Sequence, residues 1–339
     1  MPQLLIHSLI EFQEIILGAL ELADARHIVE VGSESGSFSE RLVDWAGPRG
    51  GRVTTIDPLP DDRVRAMAAR HGDTHRLVLE RTPAALDGVA AADAYVLDGD
   101  HNYYVVANEL RAIHRTAAQA GSAPLLFMHD VAWPWARRDL YYDPSFLPQG
   151  EVHEHTYDHG VDLDAGLVRG GFRSNGAYAI SLHEGGPRNG VLTAIEDFCG
   201  EHPEYELFVV PAVFGLGVLF PKHHPKRDAL VEHLRPYHQN PLLRRLEENR
   251  LRNYLRVIAL QDWSASLEAR QMAEARRAEE ALEERDRLRL ETERLAEENS
   301  VLKRELADLR DELSGERGQW YSKLGSKVDS TVRCAVKRK

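Results

Sequence analysis

His27-Ile28-Val29-Glu30-Val31-Gly32-Ser33-Glu34-Ser35-Gly36-Ser37 joins a mostly apolar run to a loop of small residues and then to the helical pattern SFSERLVDWA. The apolar run predicts a buried strand over 27–32, and the periodicity from Ser37 predicts a helix. Small residues let backbone come close to a ligand, and a helix start presents free N–H groups. The pattern suits a nucleotide-like cofactor; a plain tight connection is the alternative. It has neither the spacing G-x-G-x-x-G nor a G-K-[ST] sequence, which opposes a nicotinamide dehydrogenase.

Working outward, the same alternation repeats. A helix is expected over 9–23, strands over 52–58, 75–80, 94–100 and 124–130, and helices over 61–71, 82–89 and 103–120. Short apolar strands separated by helices predict a parallel sheet covered on both faces. Residues 205–221 are two apolar runs split by Gly215 and Gly217, which predict a terminal hairpin. The expected fold class is α/β: a Rossmann-like seven-stranded mixed sheet with a terminal antiparallel hairpin, followed by a long C-terminal coiled-coil helix.

The carboxyl ends of these strands carry the polar residues. Ligands of open α/β sheets bind there. Glu30 sits in the first strand, where a carboxylate is costly unless paired or hydrogen-bonded. Asp57 ends the second strand and can accept both hydroxyls of a ribose, or cap the turn before Pro58. Asp98-Gly99-Asp100-His101 ends the fourth strand and Met128-His129-Asp130 the fifth, with one helix between. Adjacent strand ends can bring Asp98, His129 and Asp130 into one patch of oxygen and nitrogen donors, a set suited to Mg²⁺ or Mn²⁺ completed by water and substrate. The plainer reading is a set of turn caps without an ion.

These residues resemble the class I S-adenosylmethionine-dependent methyltransferases, whose E-x-G-x-x-x-G loop matches Glu30, Gly32 and Gly36, over roughly residues 10–221. The resemblance implies that the loop, with Ser33, holds the methionine part of the cofactor and Asp57 its ribose; Asp98 adjoins the same cofactor set. The chain is also similar to metal-dependent O-methyltransferases, including sugar-modifying members of antibiotic pathways and cephalosporin hydroxylase-like proteins. There an acidic residue after strand four and an acidic pair after strand five bind Mg²⁺, matching Asp98 and His129-Asp130; His129 stands where that family has a carboxylate. A bound metal would acidify an acceptor alcohol, with Asp100 or His101 as the base that takes its proton. The choice between those two stays open, since His101 can equally cap the next helix.

Residues 131–190 form an insertion, read as a substrate lid. Trp133, Trp135, Tyr141 and Tyr142 are expected to stack on an acceptor and Arg137 and Arg138 to bind its anionic groups. His153, His155 and His159 raise a second metal site as a lesser expectation.

The 339 residues are 43% hydrophobic and carry 54 acidic against 42 basic residues, net −12. That balance disfavours a broad nucleic-acid surface. Cys199 and Cys334 are too few for a disulfide framework or a cysteine-built metal site. The amino-terminal stretch lacks a basic region and is cut by Glu11, Glu14 and Glu21, so neither a secretory signal nor a membrane span is expected.

Charge divides the chain after Asn240. The first part has 34 acidic and 20 basic residues, net −14, and all 16 histidines; the last 99 residues have 22 basic and 20 acidic, net +2. The expected domains are a catalytic domain over 1–240, a helical connector over 241–260, a coiled coil over 261–315 and a basic tail over 316–339. Leu288, Leu295, Leu302 and Leu309 recur every seven residues, with Leu306 and Leu313 on the alternate seam and Asn299 interrupting it. An Asn in the seam favours a registered parallel pair, so a homodimer is the partner call, with a solitary solvated helix as the alternative. The basic tail can meet an anionic membrane surface or a protein.

The function expected is a cytoplasmic, or membrane-peripheral, S-adenosylmethionine-dependent and Mg²⁺- or Mn²⁺-assisted O-methyltransferase. Its acceptor would be a hydroxyl of a sugar, a glycosylated natural product or a surface glycan. The alternative is a noncatalytic coiled-coil scaffold with a methyltransferase-like binding domain.

Overall fold

The computed structural model describes residues 9–173 and 176–336. Two compact units partition it, Met1–Asp262 and Trp263–Lys339.

The first unit alternates strands and helices as its hydrophobic pattern demands. After α1 (Gln13–Leu22) come β1 (His27–Val31), α2 (Ser37–Ala46), β2 (Arg52–Ile56), α3 (Asp62–Arg70), β3 (His75–Val78), β4 (Ala94–Leu97), α4 (Tyr103–Ala120) and β5 (Leu125–His129). The insertion contributes β6 (Leu140–Tyr141), β7 (His155–Thr156), β8 (Gly160–Asp162), β9 (Gly166–Val168) and β10 (Ala179–Ser181). Then follow α5 (Val191–Glu201), β11 (Tyr205–Val210), β12 (Leu216–Pro221), α6 (Arg227–Leu234) and α7 (Pro241–Val336).

Seven strands form one sheet in the order β11-β12-β5-β4-β1-β2-β3. β3 through β5 run parallel, and β12 is antiparallel to both its neighbours. Each strand feeds alternate residues to opposite faces. Val29, Val31, Leu126 and Met128 meet α4 and α5, whereas Ile28, Leu125 and Phe127 meet α1, α2 and α6. Burying each such aliphatic side chain stabilises the fold by about 1.5–3 kcal/mol.

The hairpin differs in detail from the sequence expectation. Only Gly215, at φ +93°, belongs to the turn; Gly217 lies inside β12 opposite Val209. Val213 and Phe214 also take left-handed backbone conformations there. The start of α7, read from sequence as a connector, adds to the core: Leu251 and Tyr254 are buried beside Phe172 and Phe214.

The insertion is a small β structure of its own. β6, β10 and β7 form an antiparallel sheet, and β8 pairs with β9. Asp139 anchors it: its buried carboxylate accepts hydrogen bonds from Tyr103 N at 2.8 Å, Gly190 N at 2.7 Å and the Tyr141 hydroxyl at 2.8 Å. The insertion is thereby tied to the start of α4.

The second unit is helical through Val336. Leu288, Leu295, Leu302 and Leu309 are exposed on it, as are Leu306 and Leu313. Lys337–Lys339 of the basic tail lie outside the described residues. No described helix is long and apolar enough to cross a membrane.

Candidate active site

The carboxyl ends of β1, β4 and β5 converge because those strands are adjacent in the sheet. Asp98 follows β4, His129 closes β5 and Asp130 follows it. One ligand atom from each lies within 4.8 Å of the others. His129 Nδ1 is 3.1 Å from Asp98 Oδ1 and 3.6 Å from Asp130 Oδ2. Its Nε2 donates to the Val213 carbonyl at 2.9 Å, which leaves Nδ1 as the atom facing the carboxylates. Metal-binding histidines are oriented in this way by a hydrogen bond at the other nitrogen. Burial opposes a charge on His129, but Asp98 and Asp130 outweigh it and hold its pKa up at about 10. Nδ1 therefore carries a proton between the carboxylates, at the position where a cation would replace it. The donor set fits a divalent ion.

Backbone geometry marks the same place. Asp130 has φ +59°, Glu34 +42°, Arg173 +64° and Phe214 +63°, left-handed conformations unfavourable to residues with a side chain. All four line one cleft with Asp98, His101, His129, Trp135, Tyr142, Phe172 and Tyr178. Such strain concentrates at functional sites, where the surrounding structure sustains it.

The two proposed bases differ in their surroundings. His101 faces the cleft, with Nδ1 3.1 Å from Asp130 Oδ2. Burial, opposed by Asp130, pushes its pKa down to about 4, so the ring is neutral at neutral pH. Asn102, not His101, caps α4, accepting from Val105 N at 3.0 Å. Asp100 lines a neighbouring recess with Leu97, Val106 and Glu109, and Asp98, His101 and His129 line it too. Burial raises its pKa to about 6, and its Oδ1 accepts from His101 N at 3.0 Å.

Among the cofactor residues, Ser33 donates from N and Oγ to Asp57 Oδ2, at 2.9 and 2.7 Å, and Leu59 N donates to Oδ1 at 2.8 Å. A carboxylate has about four acceptor positions, so Asp57 retains room for a ribose hydroxyl. Gly36 is the left-handed N-cap of α2, which has no side-chain cap and so leaves helix N–H groups available. Gly32 packs against the Asp98 carbonyl. Glu30 is brought elsewhere: it is buried in the sheet, accepts from Thr55 Oγ1 at 2.8 Å, and burial raises its pKa to about 7.

Several insertion residues do other work than expected. Arg137 forms a forked ion pair with Glu196 on α5, at 2.6 and 2.8 Å. Arg138 is buried and donates to the Ser181 carbonyl at 2.7 Å. Both are therefore held by the protein rather than directed to an acceptor. Trp133 and Tyr141 pack as core; Trp135, though buried, and Tyr142 reach the cleft. His153 Nε2 bonds the Arg188 carbonyl, His155 Nδ1 the His153 carbonyl, and His159 contacts Thr156; they are not among the groups with metal-ligand spacing in the described residues.

The cation facing the cleft is Arg173, whose Nη1 donates to the Tyr178 hydroxyl at 3.1 Å and whose Cζ lies 4.9 Å from that ring's centroid. Arg173, Phe172 and Glu34 escaped the sequence reading. The signal was the pair Gly170-Gly171, both at positive φ, which turns the chain just before Phe172. Glu247, from the first turns of α7, accepts from Phe214 N at 2.9 Å and so steadies the turn that bonds His129.

A family model described as "Methyltransferase domain" matches residues 29–131, the span from β1 to the end of β5 that contains Gly32, Asp57, Asp98, His129 and Asp130. Over that span the chain is similar to methyltransferase domains, and its seven-stranded mixed sheet is Rossmann-like with a terminal hairpin. Similar solved structures include the cofactor-bound Rv0187 from MTB, 17% identical, covering 65% of this chain and 83% of that one with a TM-score of 0.39. An O-methyltransferase from Bacillus cereus in complex with SAH is 13% identical and covers 63% and 83%, TM-score 0.38. TomG of Streptomyces achromogenes, an O-methyltransferase involved in tomaymycin synthesis, is 14% identical and covers 65% and 83%, TM-score 0.36. No functionally curated protein matches the sequence.

Proposed function

We propose that the chain is an S-adenosylmethionine-dependent, Mg²⁺- or Mn²⁺-assisted O-methyltransferase whose acceptor is a hydroxyl of a sugar, a glycosylated natural product or a surface glycan. The observation that carries this reading is the convergence of Asp98, His129 Nδ1 and Asp130 within 4.8 Å, beside the Gly32 loop. S-adenosylmethionine supplies an electrophilic methyl group, and a divalent cation acidifies and orients an acceptor alcohol.

The chain's own residues do the rest. The loop from Gly32 to Gly36 and the free N–H groups of α2 receive the cofactor, and Asp57 accepts from its ribose. Asp98, His129 and Asp130 hold the cation. His101 accepts the acceptor's proton at Nε2, while Asp130 orients the ring through Nδ1; Asp100 accepts from the His101 N–H and keeps the β4 turn in place. Tyr142, Phe172, Tyr178 and Phe214 offer ring faces for the apolar side of a sugar and exclude water, with Arg173 as a donor to its oxygens. Two copies join through the leucine seam of α7.

The test is methyl transfer from labelled cofactor to a panel of sugar and aromatic diols, with Mg²⁺ or with chelator. Chelator-sensitive labelling of a sugar hydroxyl supports the proposal; labelling insensitive to chelator contradicts the metal role, and labelling of aromatic diols alone contradicts the acceptor class.

A further inference from the structure

A second cluster lies on the far part of α4, outside the cleft. His114 comes from that helix, His202 ends α5 and Glu204 begins the turn into β11; one ligand atom of each lies within 4.8 Å of the others. His202 Nδ1 is 3.3 Å from Glu204 Oε1, and the two imidazole rings lie 3.9 Å apart. All three are half-buried, so the position is accessible to solvent without being flat surface.

The neighbouring groups leave the cluster open to a cation. Lys222 donates to the Pro203 carbonyl at 2.6 Å, and Arg111 pairs with Glu201 at 2.8 Å. The Tyr205 hydroxyl is 3.3 Å from His114 Nδ1 and braces that ring, the outer support typical of a metal-binding histidine.

We propose that His114, His202 and Glu204 form a second metal site, for Zn²⁺ or a similar borderline transition-metal ion, with water in a fourth position. Two imidazoles and one carboxylate are a zinc-type donor set. The number of oxygen donors is too small for Ca²⁺, and Mg²⁺ prefers octahedral oxygen. An ion here would tie α4 to the α5–β11 turn and so to the edge strand of the sheet. This inference does not depend on methyl transfer.

The probe is Co²⁺, then Zn²⁺, added to the full chain carrying D98N and D130N, which removes the carboxylates of the cleft. One equivalent of Co²⁺ should give a four-coordinate visible spectrum that Zn²⁺ abolishes, and H202Q on that background should remove it. Zn²⁺ at a hundredfold excess over Kd should raise Tm by roughly 5–10 °C, and E204Q, which alters only a half-exposed side chain, should reduce that rise even if H202Q does not fold. Absence of a cobalt spectrum, its persistence in H202Q, or an equal Tm rise in E204Q would overturn the proposal.

Discussion

A β-carbon built on Gly32 would stand 2.2 Å from the carbonyl oxygen of Asp98. The loop after β1 and the turn after β4 are thus in direct backbone contact, and the residue expected to face the cofactor also sets the height of the Asp98 turn. At φ +79° only glycine is comfortable there. Gly32→Ala should therefore destabilise the fold by about 2–4 kcal/mol, by steric overlap plus backbone strain. Denaturant unfolding measures it; a change below about 0.5 kcal/mol would show that the two loops can move apart.

His101 and Asp130 form the second relationship. With Nδ1 engaged by Asp130, Nε2 is the atom free to take a proton. H101Q should lower kcat about 10²–10⁴-fold while leaving cofactor affinity unchanged. If D100N has that effect and H101Q does not, the base has been assigned to the wrong side chain.

Glu109, which lines the recess beside Asp100, supplies a pH dependence of its own. It is buried in α4 and bonded to Thr82, and burial lifts its pKa from 4.5 to about 8. The folded state therefore binds more protons than the unfolded state between those values. Its stabilising contribution is fully present below about pH 4.5 and is lost as pH rises through about 8. E109Q should flatten this loss, so that the difference in Tm between variant and wild type moves in the variant's favour from pH 5 to pH 9. A constant difference would contradict the assignment.

The seam of α7 is tested by charge. L295E with L302E puts two carboxylates on the heptad stripe, and light scattering should then report a monomer where the wild type is a dimer. A wild-type monomer would contradict the pairing.

Much of the site was legible because it depends on local pattern. Each strand ends where its apolar run ends, which puts Asp57, Asp98, His129 and Asp130 at the rim of the sheet. The insertion was less legible because its roles depend on long-range partners. Arg137 and Arg138 have the chemistry of anion binding, but Glu196 and the Ser181 carbonyl, far along the chain, engage them instead. Arg173 and Phe214 reach the cleft through left-handed turns that side-chain pattern does not encode. The start of α7 reads as connector by composition, yet Tyr254 packs on Phe172.

The proposed function requires a cofactor and a cation held side by side. Calorimetry of the full chain with S-adenosylmethionine, with and without Mg²⁺, tests it most directly. Saturable cofactor binding and a separate Mg²⁺ isotherm that disappears in D98N/D130N are expected. No cofactor heat under either condition, the behaviour of a noncatalytic scaffold, would contradict it, as would Mg²⁺ binding unchanged in the double variant.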